Sequence, residues 1–203
     1  MSPAAQLQDR LPRTISREDL ANLPIRRYQG KIVVVATPEE LEQAQADLRA
    51  ETVVGLDTET RPAFRKGESH LPCLVQTATA RAVYLFQLRR TETHPILTEL
   101  LTEARILKAG ISLKDDLRAL KQVLPFTEAN MLDLGTVARS NGLGQTGVRN
   151  LAGILLGFRI PKGTKTSNWA ARELSHAQIA YAATDAWACR ELYVRFRSLG
   201  LLA

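Results

Sequence analysis

Val53-Val54-Gly55-Leu56-Asp57-Thr58-Glu59-Thr60 is the stretch that decides how this chain is read. Its first half is the apolar run of a buried strand, and its second half sets two acids in a D-x-E pattern. Residues two apart on a strand share a face, so Asp57 and Glu59 present their carboxylates together. Carboxylates gathered in this way repel one another unless cations lie between them, and hard divalent ions prefer oxygen ligands. The stretch therefore predicts a strand that delivers two acids to a metal site.

Further acids stand where they could join it. Tyr181-Ala182-Ala183-Thr184-Asp185 lies in a helical pattern, and four-residue spacing stacks Tyr181 and Asp185 on one face. In the middle of the chain, Lys108 to Leu120 runs from a strand through a turn into a helix, with Asp115 and Asp116 in the first helical turn. Taken alone, those two acids suit the positive end of a helix. Asp57 alone would suit a turn, and Asp185 alone an exposed helical face. Asp133 follows a short strand and reads as a turn residue. The occurrence of these motifs together, in order, favours a shared site over separate local roles.

Around these motifs the chain divides into a coarse pattern. Residues 1–30 are mixed polar with several prolines and arginines, which predicts an irregular N-terminal arm, and residues 31–203 read as one domain. A β-branched run at 32–36 precedes a helix start in which Thr37 caps, Pro38 takes the first position and Glu40 completes a capping box. Three strands at 52–58, 73–79 and 82–88 with short connections predict an antiparallel meander. Alternation follows: helix at 95–104, strand at 105–111, helix at 113–124, strand at 130–134, and a helix from 136. After a glycine-rich break at 142–147 come an apolar helix at 148–157, a basic loop at 161–168 and a long final helix. In that helix Ile179, Ala183, Ala186 and Tyr193 form the stripe expected to face the core. A meander followed by strand–helix units gives an α/β fold, a mixed central sheet with helices on both faces.

Composition narrows the partners. The 203 residues carry a net charge of +6, and a basic surface speeds capture of polyanions. A chain that is basic overall, yet gathers its acids in one place, has the character of a phosphate-binding surface around a metal site. Cys73 and Cys189 fall within a strand and a helix and read as small buried hydrophobes of a reducing compartment. No run is long enough to cross a bilayer, and Met1 to Gln6 lacks the basic-then-apolar order of a signal peptide. The expectation is a cytoplasmic protein without a membrane partner.

The residues Gly55-Leu56-Asp57-Thr58-Glu59-Thr60-Arg61-Pro62, then Ala109-Gly110-Ile111 with Asp116-Leu117, then Tyr181-Ala182-Ala183-Thr184-Asp185-Ala186 resemble, in order, the three motifs of the DEDD superfamily of 3′→5′ exonucleases. The tyrosine in the third motif places the resemblance in the RNase D-like DEDDy branch, beside the exonuclease domain of the Werner syndrome helicase. Pro72-Cys73-Leu74-Val75-Gln76 and Ser167-Asn168-Trp169 support it, and the match runs over residues 30–198. The resemblance implies a ribonuclease H-like fold with five or six strands. It further implies that Asp57, Glu59, Asp116 and Asp185 hold two divalent ions while Tyr181 orients the attacking water. Asp116 is preferred to Asp115 because the family's acid falls six residues after the glycine matched by Gly110.

Such a site suits Mg²⁺ or Mn²⁺ over Zn²⁺, since the donors are all oxygen and His70, His94 and His176 are scattered. Two ions about 3.5–4 Å apart can clamp the attacking and leaving oxygens of an in-line phosphoryl displacement. The expected partner is single-stranded or 3′-end nucleic acid, DNA or RNA, cut from its 3′ end. Candidate phosphate contacts are Arg61, Arg65 and Lys66 after the first acidic pair, and Lys162 and Lys165 in the basic loop. Trp169 is either a packing residue or a platform on which a base could stack. Two other function classes are carried along: a catalytically inactive nucleic-acid-binding module of the same fold, and a phosphoesterase of small substrates.

Overall fold

The computed structural model describes residues 12–65, 67–162 and 167–202. Its centre is a six-stranded sheet made of β1 (Lys31–Val34), β2 (Val53–Thr60), β3 (Pro72–Ala78), β4 (Ala82–Gln87), β5 (Leu107–Gly110) and β6 (Met131–Asp133). The spatial order is β1-β4-β3-β2-β5-β6. β2, β3 and β4 pair antiparallel, as the short connections predict, while β1 with β4, β2 with β5 and β5 with β6 are parallel. The strand carrying the D-x-E acids is therefore interior, between β3 and β5.

The helices divide between the two faces. Helices α2 (Pro38–Arg49), α3 (His94–Thr102) and α4 (Leu113–Leu120) share a core with Val54, Leu56, Val75, Tyr84 and Phe86. Helices α5 (Leu134–Ser140), α6 (Val148–Leu151) and α7 (His176–Ser198) cover the opposite face, against Val53, Leu74, Val83 and Leu85. The alternation of β2 follows directly: Val54 and Leu56 point one way, while Val53, Gly55, Asp57 and Glu59 point toward α7. Helix α7 packs along β2, β3 and β4, with Ala182, Ala183 and Ala186 buried in its contact with the sheet. Ile179 and Tyr193, from the expected stripe, are only partly buried.

Local chemistry sets the helix ends. Thr37 and Glu40 form the expected capping box, with Pro38 opening α2. Ser175 and Gln178 form a second one at the head of α7. Helix α5 begins at 134 rather than 136, because Asp133 caps it by accepting from the Gly135 and Thr136 N–H groups. The helix expected over 113–124 ends at Leu120. Only a single α-turn of the helix expected at 148–157 forms; 152–156 widen into a π-turn that Gly157 closes at φ 70°. There Arg195 Nε donates to Leu155 O at 3.0 Å, so a side chain satisfies a carbonyl at the disturbed turn.

From residue 12 onward the arm departs from its expected irregularity, and residues 1–11 lie outside the described residues. Residues Arg17–Asn22 form α1, capped by Ser16, and Leu20, Leu23 and Ile15 close over Gly153. Ile25 bridges to Arg159, with Arg26 N–H donating to Arg159 O and Arg159 N–H to Pro24 O. Proline and arginine content concealed a segment whose order comes from distant partners. Among the described residues, no helix is long and apolar enough to cross a membrane.

Candidate active site

Gly55 is where the site begins. A Cβ on it would lie 2.0 Å from Ala186 O and 2.8 Å from Arg190 N, both backbone atoms of α7. Only glycine lets the helix lie this close to the strand. With α7 pressed onto β2, Asp185 meets Asp57 and Glu59, which follow Gly55 on the same face. One carboxylate oxygen from each of the three acids lies within 4.8 Å of the others. Asp185 is buried, and Asp57 and Glu59 are half-buried.

The electrostatics follow from that crowding. Enclosure pushes the Asp57 carboxyl well above the ordinary carboxylate range; the charges of Asp185 and Glu59 push it further, and the Thr58 backbone N–H opposes them. The same enclosure, with the charges of Asp185, Glu59 and Asp57 nearby, raises the Tyr181 hydroxyl well above its ordinary range. Tyr181 therefore keeps its proton and offers a donor at the edge of the cluster. Burial also raises the Cys189 thiol, which leaves it protonated and inert.

Asp116 stands apart from the three. It lies on α4, and Thr58 Oγ1 donates to its Oδ1 at 3.1 Å. Thr58 alternates with Asp57 and Glu59, so this bond holds Asp116 toward the α4 side of β2. Burial raises its carboxyl while the Thr58 hydroxyl draws it back down. Asp116 is still near enough to add to the upward push on Asp57. Its neighbour Asp115 is 82% exposed and pairs with Arg118 at 3.1 Å, so of the two acids Asp116 is the one turned inward.

Two supporting residues escaped the sequence reading. Thr58 looked like a spacer between acids, yet its hydroxyl holds Asp116; its position inside D-x-E was the available signal. Asp133 proves to be a turn residue with a further task. Its second oxygen accepts from Leu113 N–H at 3.1 Å, bracing the head of α4 from the end of β6. Ser112, at φ 59°, turns the chain sharply into that helix. Gly110 is required just before it, since a Cβ there would lie 2.6 Å from Leu56 O.

The candidate substrate contacts fare unevenly. Arg61 and Arg65 are exposed on the loop leaving β2, where Arg65 N–H donates to Glu68 at 3.2 Å. Lys162 lines a cleft that also contains Tyr181. Lys66 and Lys165 lie outside the described residues. Trp169 is corrected: its side chain is 0% exposed, packed among Leu74, Ala78 and Ala182. Its ring centroid lies 6.0 Å from that of Tyr181, so it backs the tyrosine and has no free face for a base.

Comparison with known proteins gives the family and the fold. The 3′-5′ exonuclease family model matches residues 32–200. Ribonuclease D of Gluconacetobacter diazotrophicus is 33% identical over 166 residues, which are 79% of this chain and 41% of that protein. A 3′-5′ exonuclease of Arabidopsis thaliana is 28% identical across 91% of this chain and 70% of its own length. The chain thus spans less than half of the first ribonucleases D it matches. Among solved structures, the EXO domain of Aedes aegypti Nibbler superposes with a TM-score of 0.75 at 21% identity, covering 86% of this chain and 92% of that one. Trypanosoma brucei RNase D, solved in complex with RNA U12, gives 0.69 at 22% identity, with 91% and 66% covered. The fold is that of the ribonuclease H-like exonuclease domains, and the chain belongs to the 3′-5′ exonuclease family, in its RNase D-like DEDD branch.

Proposed function

We propose that this chain is a metal-dependent 3′→5′ exonuclease that hydrolyses the terminal phosphodiester of single-stranded DNA or RNA. The observation that carries the reading is the convergence of one carboxylate oxygen each of Asp57, Glu59 and Asp185 within 4.8 Å, with Tyr181 one helical turn before Asp185. Three enclosed carboxylates are costly to keep ionised without a counter-charge, and their all-oxygen donor set fits Mg²⁺ or Mn²⁺. Asp57, Glu59 and Asp185 would hold one cation, and Asp116, released from Thr58, would share a second with Asp57. When bound, such ions acidify a water and offset charge on the departing 3′ oxygen.

The chain's own residues do the rest. Tyr181 stays protonated and can hydrogen-bond the attacking water, fixing its line toward phosphorus. Trp169 packs behind the tyrosine and restricts its ring. Thr58 and Asp133 set the approach of Asp116 from α4. Water adds to phosphorus, the bond to the 3′ oxygen breaks, and the products are a nucleoside 5′-monophosphate and a strand shortened by one residue with a new 3′ hydroxyl.

The test uses 5′-labelled single strands of DNA and RNA with Mg²⁺, Mn²⁺ or EDTA, comparing wild type with Asp57→Ala. The expected result is a ladder shortening from the 3′ end, abolished by EDTA and by the substitution. Strand binding without shortening under either metal would overturn the exonuclease reading in favour of an inactive binding module. Cleavage of mononucleotide esters alone would favour a phosphoesterase.

A further inference from the structure

Beside Tyr181, and away from the acids, lies a cleft of about 420 Å³ walled by Arg27, Lys162, His176, Ala180, Tyr181 and Thr184. Its charged wall is basic, with no carboxylate among the described residues that line it. Arg27 comes from the segment ahead of the first strand, outside the 32–200 span of the family match.

That segment is fastened on both sides of Arg27. Before it, Arg26 N–H donates to Arg159 O at 3.0 Å, and the Arg26 guanidinium lies 5.7 Å from the Phe158 ring centre. Arg159 Nε donates to Leu23 O at 3.1 Å. After it, Tyr28 N–H donates to Thr184 Oγ1 at 3.1 Å, and Thr184 Oγ1 in turn donates to Ala180 O at 2.6 Å. The Tyr28 ring lies 6.0 Å from Trp187, which stacks on Phe158 at 5.5 Å. Arg26 and Tyr28 are thus committed to the body of the protein, and Arg27 between them is left to the cleft. Its backbone is ordered in advance, which lowers the entropy cost of a contact made by its guanidinium.

We infer that this cleft is a binding site for a backbone phosphate of single-stranded nucleic acid, upstream of the bond being cut, with Arg27 and Lys162 as its cationic ligands. The inference rests on the exonuclease reading for its direction: with the terminal phosphodiester at the acids, the strand leaves past Tyr181 into the cleft. Contacts to phosphate carry no base preference, so the site serves any sequence and both sugars. The arm is then part of the substrate path.

The test is equilibrium binding, by fluorescence anisotropy, of labelled single-stranded DNA and RNA oligonucleotides in EDTA across a salt series. Wild type, Arg27→Ala, Lys162→Ala and Arg81→Ala are compared. Arg81 is the charge control, 77% exposed at the β3–β4 turn. Removing either cleft cation should weaken binding about fivefold at low salt, and should reduce the slope of log affinity against log salt by about 0.7. Arg27→Lys should recover most of the slope, and Arg81→Ala should match wild type. An Arg27→Ala protein with unchanged melting temperature, affinity and slope overturns the site, and so does a loss equalled by Arg81→Ala. Because the assay needs no cleavage, a chain that binds but never shortens the strand would defeat the exonuclease reading while leaving the phosphate site to be judged by its slope.

Discussion

The two faces of β2 make a comparison within one strand. Toward α7, Gly55, Asp57 and Glu59 meet Asp185 across a backbone contact that tolerates no side chain. Toward α4, Val54 and Leu56 lie in an ordinary apolar core, and Thr58 supplies a neutral hydroxyl to Asp116. One face concentrates like charge, and the other sets a neutral hydroxyl against its acid. Both sides bury apolar cores, and only the α7 side also encloses a cluster of like-charged carboxylates. Metal sites can be built this way because binding energy restores what the empty cluster costs.

The sharpest way to break the comparison is Asp57→Asn. Exonuclease turnover should fall by about a thousandfold or more, since removing this charge withdraws several kcal/mol of transition-state stabilisation. Metal-free stability should move the other way. The raised carboxyl of Asp57 stabilises the fold below the unfolded carboxylate range, and that contribution is lost as pH rises through its folded value. At neutral pH in EDTA, Asp57→Asn should therefore melt higher than wild type, and Mg²⁺ should raise wild type more than the variant. A variant that melts lower in EDTA would show that the cluster is not under charge strain.

Gly55→Ala comes next and tests the contact itself. A methyl 2.0 Å from Ala186 O forces α7 away from β2, at a cost of about 3 kcal/mol or roughly 6–12 °C in melting temperature. Calorimetry of the metal-free protein measures it; a shift under 2 °C, read as about half a kcal/mol, would mean that the helix moves freely. Activity should fall with it, because Asp185 travels on that helix.

On the opposite face the effects are smaller. Thr58→Val keeps the shape and removes the bond to Asp116, which is worth about 1 kcal/mol. The expected result is a loss of about tenfold or less in turnover with little change in melting, because Asp116 can still reach a cation. A loss as large as that of Asp57→Asn would place Thr58 in the chemistry itself.

A pH-dependent effect on the same side concerns Lys108, fully buried with its ammonium donating to Glu103 O at 2.7 Å. Burial lowers its pKa to about 8. Below pH 8 the folded protein bears the cost of a buried charge; between pH 8 and 10.5 it sheds the proton while the unfolded chain retains it, so stability rises with pH. Subtracting the denaturation curve of Lys108→Met from that of wild type should isolate this rise. A flat difference across that window would show that the ammonium is solvated after all.

Much of this is legible in the chain itself. The D-x-E acids, the third-motif tyrosine, the capping box at Thr37 and the β2–β3–β4 meander are local patterns, fixed by strand alternation, helical spacing and turn length. The choice of Asp116 over Asp115 came from the family resemblance, which aligns the acid to the glycine at Gly110; the structure leaves Asp115 exposed and paired with Arg118. The order of residues 12–30 and the choice of packing over stacking for Trp169 were beyond the sequence for one reason. A proline-rich segment is ordered, and an indole is enclosed, by partners far away in sequence, and no local pattern encodes those.

Periodicity and motif order in the sequence thus determined the strand that bears the acids, the helix that brings the last of them, and the family. Tertiary structure alone decided that Gly55 lets that helix meet the strand backbone to backbone, that Asp116 is held by Thr58 on the other face, and that Arg27 is anchored beside Tyr181. Each of these depends on how close two distant segments come. That closeness is set by packing across the sheet, and side-chain pattern along the chain specifies only which face each residue takes.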